Sequence, residues 1–203
     1  MNFFCKIFLV FTISLSLLFS GCASYHASSL AALDPQFMKE PEEIEGISIG
    51  CKAFTDAECQ TYLDRDVIRR GYQPIQLTFN NQTDKFYLFS TQGINLPCVK
   101  PEEVADKVHT STIGRVTGYT IGALFFTPLI IPAIVDGIKS SKANELLDVD
   151  FREKAQETFV IAPKSYNKTL FFVPKKDFKP YFDLTLVEQG TEIEKTVKLF
   201  VSQ

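Results

Sequence analysis

Five cysteines and two histidines are the side chains of widest chemical repertoire in this 203-residue chain. The cysteines stand at 5, 22, 51, 59 and 98, and the histidines at 26 and 109. No cysteine pair has the short spacing of a structural zinc site, so no metal and no cofactor is expected. A disulfide is the more natural use of such thiols wherever the compartment is oxidising. Cys5 lies in the apolar leader and Cys22 has another use, leaving Cys51, Cys59 and Cys98. Closing Cys51 to Cys98 restricts a loop of 48 residues. In the chain-entropy picture that contributes about 4 kcal/mol, against about 2.6 for the shorter loop to Cys59. Cys51–Cys98 is therefore the preferred pair, Cys51–Cys59 the alternative, and three reduced thiols the remaining arrangement. For catalysis, His109 precedes Thr110 and Ser111, yet the chain has no nucleophile elbow, metalloprotease helix or phosphate-binding loop. His109 reads as a helix-surface or capping residue and His26 as a solvated one. No enzymatic activity is expected.

These residues must be held by a fold, and composition bounds it. Lys and Arg number 21 and Asp and Glu 24, a net charge of −3 without a basic run, which excludes a nucleic-acid footprint. Hydrophobic residues make up 45% and charged residues 22%, enough apolar surface for a packed core. Nineteen Phe and seven Tyr with no Trp favour β-rich packing.

The first 21 residues carry one charge, Lys6, then the uncharged run Ile7–Phe19, then Ser20-Gly21 before Cys22. At about 1.5 Å per residue this run reaches some 20 Å, short of a bilayer core, as in a signal peptide. The stretch Leu18-Phe19-Ser20-Gly21-Cys22 resembles the bacterial lipobox, with Phe19 where Leu is usual. The resemblance covers the first tenth of the chain. It implies that Cys22 is acylated through its sulfur and becomes the new N-terminus. Ala23 and Ser24, in place of Asp, then imply the outer membrane or cell surface. A secretory signal cut after Ala23 is the alternative. Processing before Cys22 would leave a net charge of −4, with 20 basic and 24 acidic residues.

Residues 22–45 read as a tether, small and polar and then acidic, with Pro35 and Pro41 and no sustained period. The body then spans 46–203. Strand-like runs fall at 47–53, 74–79, 85–90 and 94–99, with 74–79 and 85–90 expected as a hairpin about the turn 80–84. Four more follow at 158–161, 169–173, 181–187 and 196–201. A short helix is expected at 56–63, capped by Asp56. Neither half covers its own sheet well. The expected fold is therefore a mainly β, immunoglobulin-like two-sheet sandwich assembled from both halves, with an α-helical hairpin inserted at about 101–152.

Within that insertion, Val116–Val135 is uncharged throughout, and Gly114, Gly118 and Gly122 repeat every fourth residue. Twenty residues could span a bilayer, but Pro128 and Pro132 interrupt them, and a true span would separate the halves of the fold. The segment is instead expected as a helical hairpin, Val104–Phe126 out and Ala133–Leu147 back. Its apex residues Leu124, Phe125, Phe126, Leu129, Ile130 and Ile131 either pack on the body or meet lipid or an apolar partner. The expected function is a lipid-anchored envelope protein of structural or interaction type, with membrane and envelope-protein partners. The alternative is a membrane-active protein that inserts 116–135 into lipid.

Overall fold

The computed structural model describes residues 24–33, 35, 42–109 and 130–202, with side chains in the helix at 130–154 described from 141 onward. The chain divides into two compact units, Met1–Ser24 with Thr110–Asn144 and Tyr25–His109 with Glu145–Gln203. The second unit is mainly β. Its first part holds β1 (Glu42–Ile44), β2 (Ile47–Ala53), α1 (Asp56–Leu63), β3 (Tyr72–Asn81), β4 (Tyr87–Ser90) and α2 (Pro101–Val108). Helix α3 (Ile130–Lys154) then leads into β5 (Thr158–Ile161), β6 (Ser165–Pro174), β7 (Tyr181–Glu188) and β8 (Ile193–Phe200). The strands form two antiparallel sheets, ordered β1-β2-β3-β6 and β5-β4-β7-β8. Each sheet takes strands from before and after the insertion, because neither half alone buries its apolar face.

Alternation along the strands builds the principal core. Ile47, Ile49 and Cys51 of β2, Ile75, Leu77 and Phe79 of β3, and Phe171 and Val173 of β6 share one buried cluster with Tyr87, Phe89, Leu184 and Leu186 of the second sheet. Phe79 lies 5.3 Å from Phe89 and 6.0 Å from Phe159, ring centre to ring centre, so aromatic contacts join the two sheets.

The other face of the first sheet is covered as well. Gln73 to Phe79 are buried without a break, which a strand with one covered face cannot show. Leu170 and Phe172 pack there against Leu63 and Val67, Val104, Ala105 and Val108 of α2, and Leu147 and Phe151 of α3. Phe151 stacks on Phe172 at 5.6 Å and 10°. Leu147, Phe151 and Ala155 repeat at helical spacing and are all buried, which keeps α3 on the sheet beyond the expected end at Leu147. Pro132 falls in the first turn of α3 (Ile130–Lys154), where a proline is tolerated. The outgoing limb beyond His109 and the apex lie outside the described residues. Among the described residues, no helix is long and apolar enough to cross a membrane.

Several local expectations are corrected. β3 and β4 are not a hairpin: β3 pairs with β2 and β6, and β4 with β5 and β7. Asn81 explains the crossing. Its fully buried amide donates to the carbonyls of Lys85 and Ala162, both at 2.9 Å, while its oxygen accepts from the Thr83 N–H and hydroxyl. These bonds turn the chain from one sheet into the other. A two-residue hairpin forms instead at β1–β2, whose turn residues Glu45 (φ 45°) and Gly46 (φ 90°) both lie in the left-handed region that a type I′ turn requires. The run 94–99 is not a strand but makes single bridges, Ile94 to Leu184 and Val99 to Phe172. The cap of α1 is Thr55, not Asp56: its hydroxyl accepts from the Glu58 N–H, and Glu58 returns a bond to the Thr55 N–H.

Candidate functional site

The segment read as a tether is docked. From Tyr25 to Leu33 it lies across the helix-bearing face of the first sheet as a strap. Ser28 N–H donates to Thr61 O at 2.9 Å, Lys168 Nζ to Leu30 O at 2.7 Å, Gln76 Nε2 to Ala31 O at 2.8 Å and Tyr166 OH to Leu33 O at 2.7 Å. Leu30 is buried among α1, α2 and α3. The segment lacks a period because neither helix nor strand holds it: side chains from other elements satisfy its carbonyls one at a time.

Lys154, near the end of α3, is the centre of this docking. Its ammonium has three hydrogens, and all three are used: Ser28 O at 2.8 Å, Tyr62 O at 2.7 Å and Asp150 Oδ2 at 2.6 Å. The same carboxylate oxygen accepts from the Tyr25 hydroxyl. Burial, together with Asp150, pushes the Tyr25 phenol well above its usual range, so it remains a donor. Arg65 lies over the Tyr25 ring at 5.1 Å and pairs with Asp64 at 3.0 Å, while Asp64 accepts the His26 N–H. His26 thus contributes its backbone to the docking.

A second polar group joins α2 to α3. His109 caps the end of α2, as its position suggested. Its Nε2 lies 2.6 Å from Asp148 Oδ1 and its Nδ1 3.7 Å from Asp106 Oδ1. One nitrogen and two carboxylates, with one donor atom each within 4.8 Å of one another, are a set that could hold a cation. The signal in the sequence for this group is the helical spacing of Asp106 and His109, three residues apart. The carboxylates approach different ring nitrogens, so the arrangement as it stands fastens α2 to α3.

The thiols do not form the expected bridge. Cys51, Cys59 and Cys98 are all free. Cys51 faces the second sheet and Cys59 the helices, so the sheet itself separates that alternative pair. Cys98 packs at the edge of the core that holds Cys51. Burial pushes the Cys51 thiol far up, and those of Cys59 and Cys98 up to about 12, which keeps all three protonated and unreactive at neutral pH. Cys22, Leu124, Phe125, Phe126 and Leu129 lie outside the described residues, and Ile130 and Ile131 are placed only as the start of α3.

The fold thus defines a mainly β protein with two four-stranded antiparallel sheets, a helical layer on one of them and a docked N-terminal strap. Comparison with known protein families, curated proteins and solved structures finds no match for this chain.

Proposed function

We propose that this chain is an exported cell-envelope protein held at a membrane by acyl chains on Cys22. Its body is an immunoglobulin-like sandwich with a structural or binding role rather than a catalytic one. The observation that carries this reading is Leu18-Phe19-Ser20-Gly21-Cys22 behind a singly charged, apolar leader. Two sheets over one core, each drawn from both halves of the chain, support the sandwich. The polar groups of the strap and of the α2–α3 junction bind other parts of the chain, which supports a non-catalytic role. Ala23 and Ser24 favour the outer membrane or cell surface. Two or three buried acyl chains, at about 0.8 kcal/mol per CH₂, make such an anchor long-lived.

Intact mass of the protein extracted from membranes tests the reading. The expected mass is that of residues 22–203 plus the acyl groups, and Cys22→Ser should abolish both processing and membrane retention. An unmodified chain cut after Ala23, or a serine variant processed and retained as before, overturns it. The uncharged stretch 116–135 favours a second reading, insertion of the hairpin into lipid. A variant lacking 116–135 should then lose vesicle binding in unacylated form.

A further inference from the structure

The two ends of the first sheet differ in charge. At one end, β3 begins at Tyr72 opposite the last residue of β6, Pro174. The loops entering and leaving there, 64–71 and 174–180, are joined by a bond from Lys175 N–H to Gly71 O at 2.8 Å. Together they carry six basic residues, Arg65, Arg69, Arg70, Lys175, Lys176 and Lys179, against Asp64, Asp66 and Asp177. Arg65 is taken up by Asp64, and Arg69 lies 3.9 Å from Asp66. Among the described residues, Arg70, Lys175, Lys176 and Lys179 are exposed and make no ion pair. The nearby acids of α2 are engaged, Glu103 with the Tyr72 hydroxyl and Glu102 with Arg152. At the opposite end each lysine has an acidic partner: Lys85 with Glu188, Lys164 with Asp84 and Lys195 with Glu45.

The strap begins near the basic end. Tyr25 meets Asp150 and Arg65, and Asp150 adjoins Phe151, which stacks on Phe172, two residues before the end of β6. Cys22 is three residues before Tyr25, which at about 3.3–3.6 Å per residue is at most some 11 Å of chain. A docked strap leaves no slack beyond that. We infer that the end of the body carrying Arg69, Arg70, Lys175 and Lys176 rests on anionic lipid headgroups. This inference depends on the reading of Cys22 as the anchor. The acyl chains bring the basic end to the lipid surface, and the loops then add contacts that are attractive only where the leaflet is negative. The body is thereby oriented, with the ion-paired end of the sheet directed away from the membrane.

The test uses the processed chain from residue 22 with Cys22→Ser, so that no acyl chain contributes, and sedimentation with phosphatidylcholine vesicles with or without about 30 mol% phosphatidylglycerol. Binding to the anionic vesicles at low salt, little binding to the neutral ones, and a loss of about tenfold in the quadruple variant R69E/R70E/K175E/K176E are expected. All four side chains are exposed, so the thermal midpoint should stay near that of the parent and confirm folding. Lys164→Gln, at the far end, should leave binding unchanged. Equal binding to both vesicles, or binding that survives the quadruple reversal, overturns the inference. Intact mass of the membrane-extracted protein separates the two readings. An acylated protein whose serine form ignores anionic lipid refutes this surface alone, whereas an unacylated protein refutes the anchor on which the inference rests.

Discussion

The two faces of the β1-β2-β3-β6 sheet are filled by different means. Toward the second sheet the contacts are mainly apolar, and position in the alternating pattern decides what is buried. Toward the helices, Leu170 and Phe172 share the face with the buried polar Gln76, whose amide donates to the Ala31 carbonyl of the strap. One face requires volume and the other requires partners. The first tolerates error in direction but not in size, and the second the reverse.

The largest test of this contrast is the deletion of one ring. Phe79 is fully buried between the sheets, in contact with Phe89 and Phe159. Phe79→Ala should destabilise by about 3–5 kcal/mol, read as a shift of the urea midpoint with little change of slope. Phe172→Ala, on the other face, removes the stack on Phe151 at similar cost. It should also raise protease sensitivity in α3 before the sheets open.

Next in size is Lys154→Ala. It leaves Asp150 and the carbonyls of Ser28 and Tyr62 without their shared donor, at a cost of about 3 kcal/mol. The expected signature is local: new cleavage within Tyr25–Leu33, with the near-ultraviolet signal of the inter-sheet aromatics largely kept. If global unfolding accompanies the first cut, strap and sheets are one cooperative unit and the contrast between the faces fails.

The same contrast explains what could be read from sequence. Volume leaves a period: Ile47, Ile49 and Cys51, then Ile75, Leu77 and Phe79, stand out as inward faces, and two sheets, each drawn from both halves of the chain, follow from such faces. Partners leave none. Gln76 and Thr78 look like the outward residues of a half-exposed strand, yet both are buried because α1, α2, α3 and the strap cover them. The strap looks like coil because its bonds come from Gln76, Lys154, Tyr166 and Lys168, all distant in sequence. The 80–84 stretch looks like a hairpin turn because nothing local shows that the Asn81 amide reaches Ala162. Glu45-Gly46 did carry a readable hairpin signal, masked by the prolines and acids before it. The basic end is invisible for the same reason, since its loops lie about a hundred residues apart.

A smaller effect tests the helix-side layer by pH. Burial opposes the charge on Glu58, but hydrogen bonds from Lys52 and Thr55 prevail and hold its carboxyl below the ordinary value of 4.5. A lowered folded-state value means that the stabilisation is full above about pH 5 and is lost as pH falls through that value. Glu58→Gln should therefore cost about 1 kcal/mol at pH 7, and the difference from the parent should shrink below pH 4.5. A difference independent of pH would show that the cap acts through shape and not charge.

The smallest expected change has the opposite sign. Tyr87 is fully buried between the sheets, and its hydroxyl meets no hydrogen-bond partner among the described residues. On a face that requires volume, the ring is what matters, and an unbonded hydroxyl only adds the cost of taking it from water. Tyr87→Phe keeps the ring and removes that cost, so the thermal midpoint should rise, by the equivalent of up to about 1 kcal/mol. The parallel change on the partner-requiring face is Gln76→Leu, which removes an amide that does have an acceptor, the Ala31 carbonyl, and should lower the midpoint. If both substitutions move stability in the same direction, the difference between the two faces is not one of volume against partners.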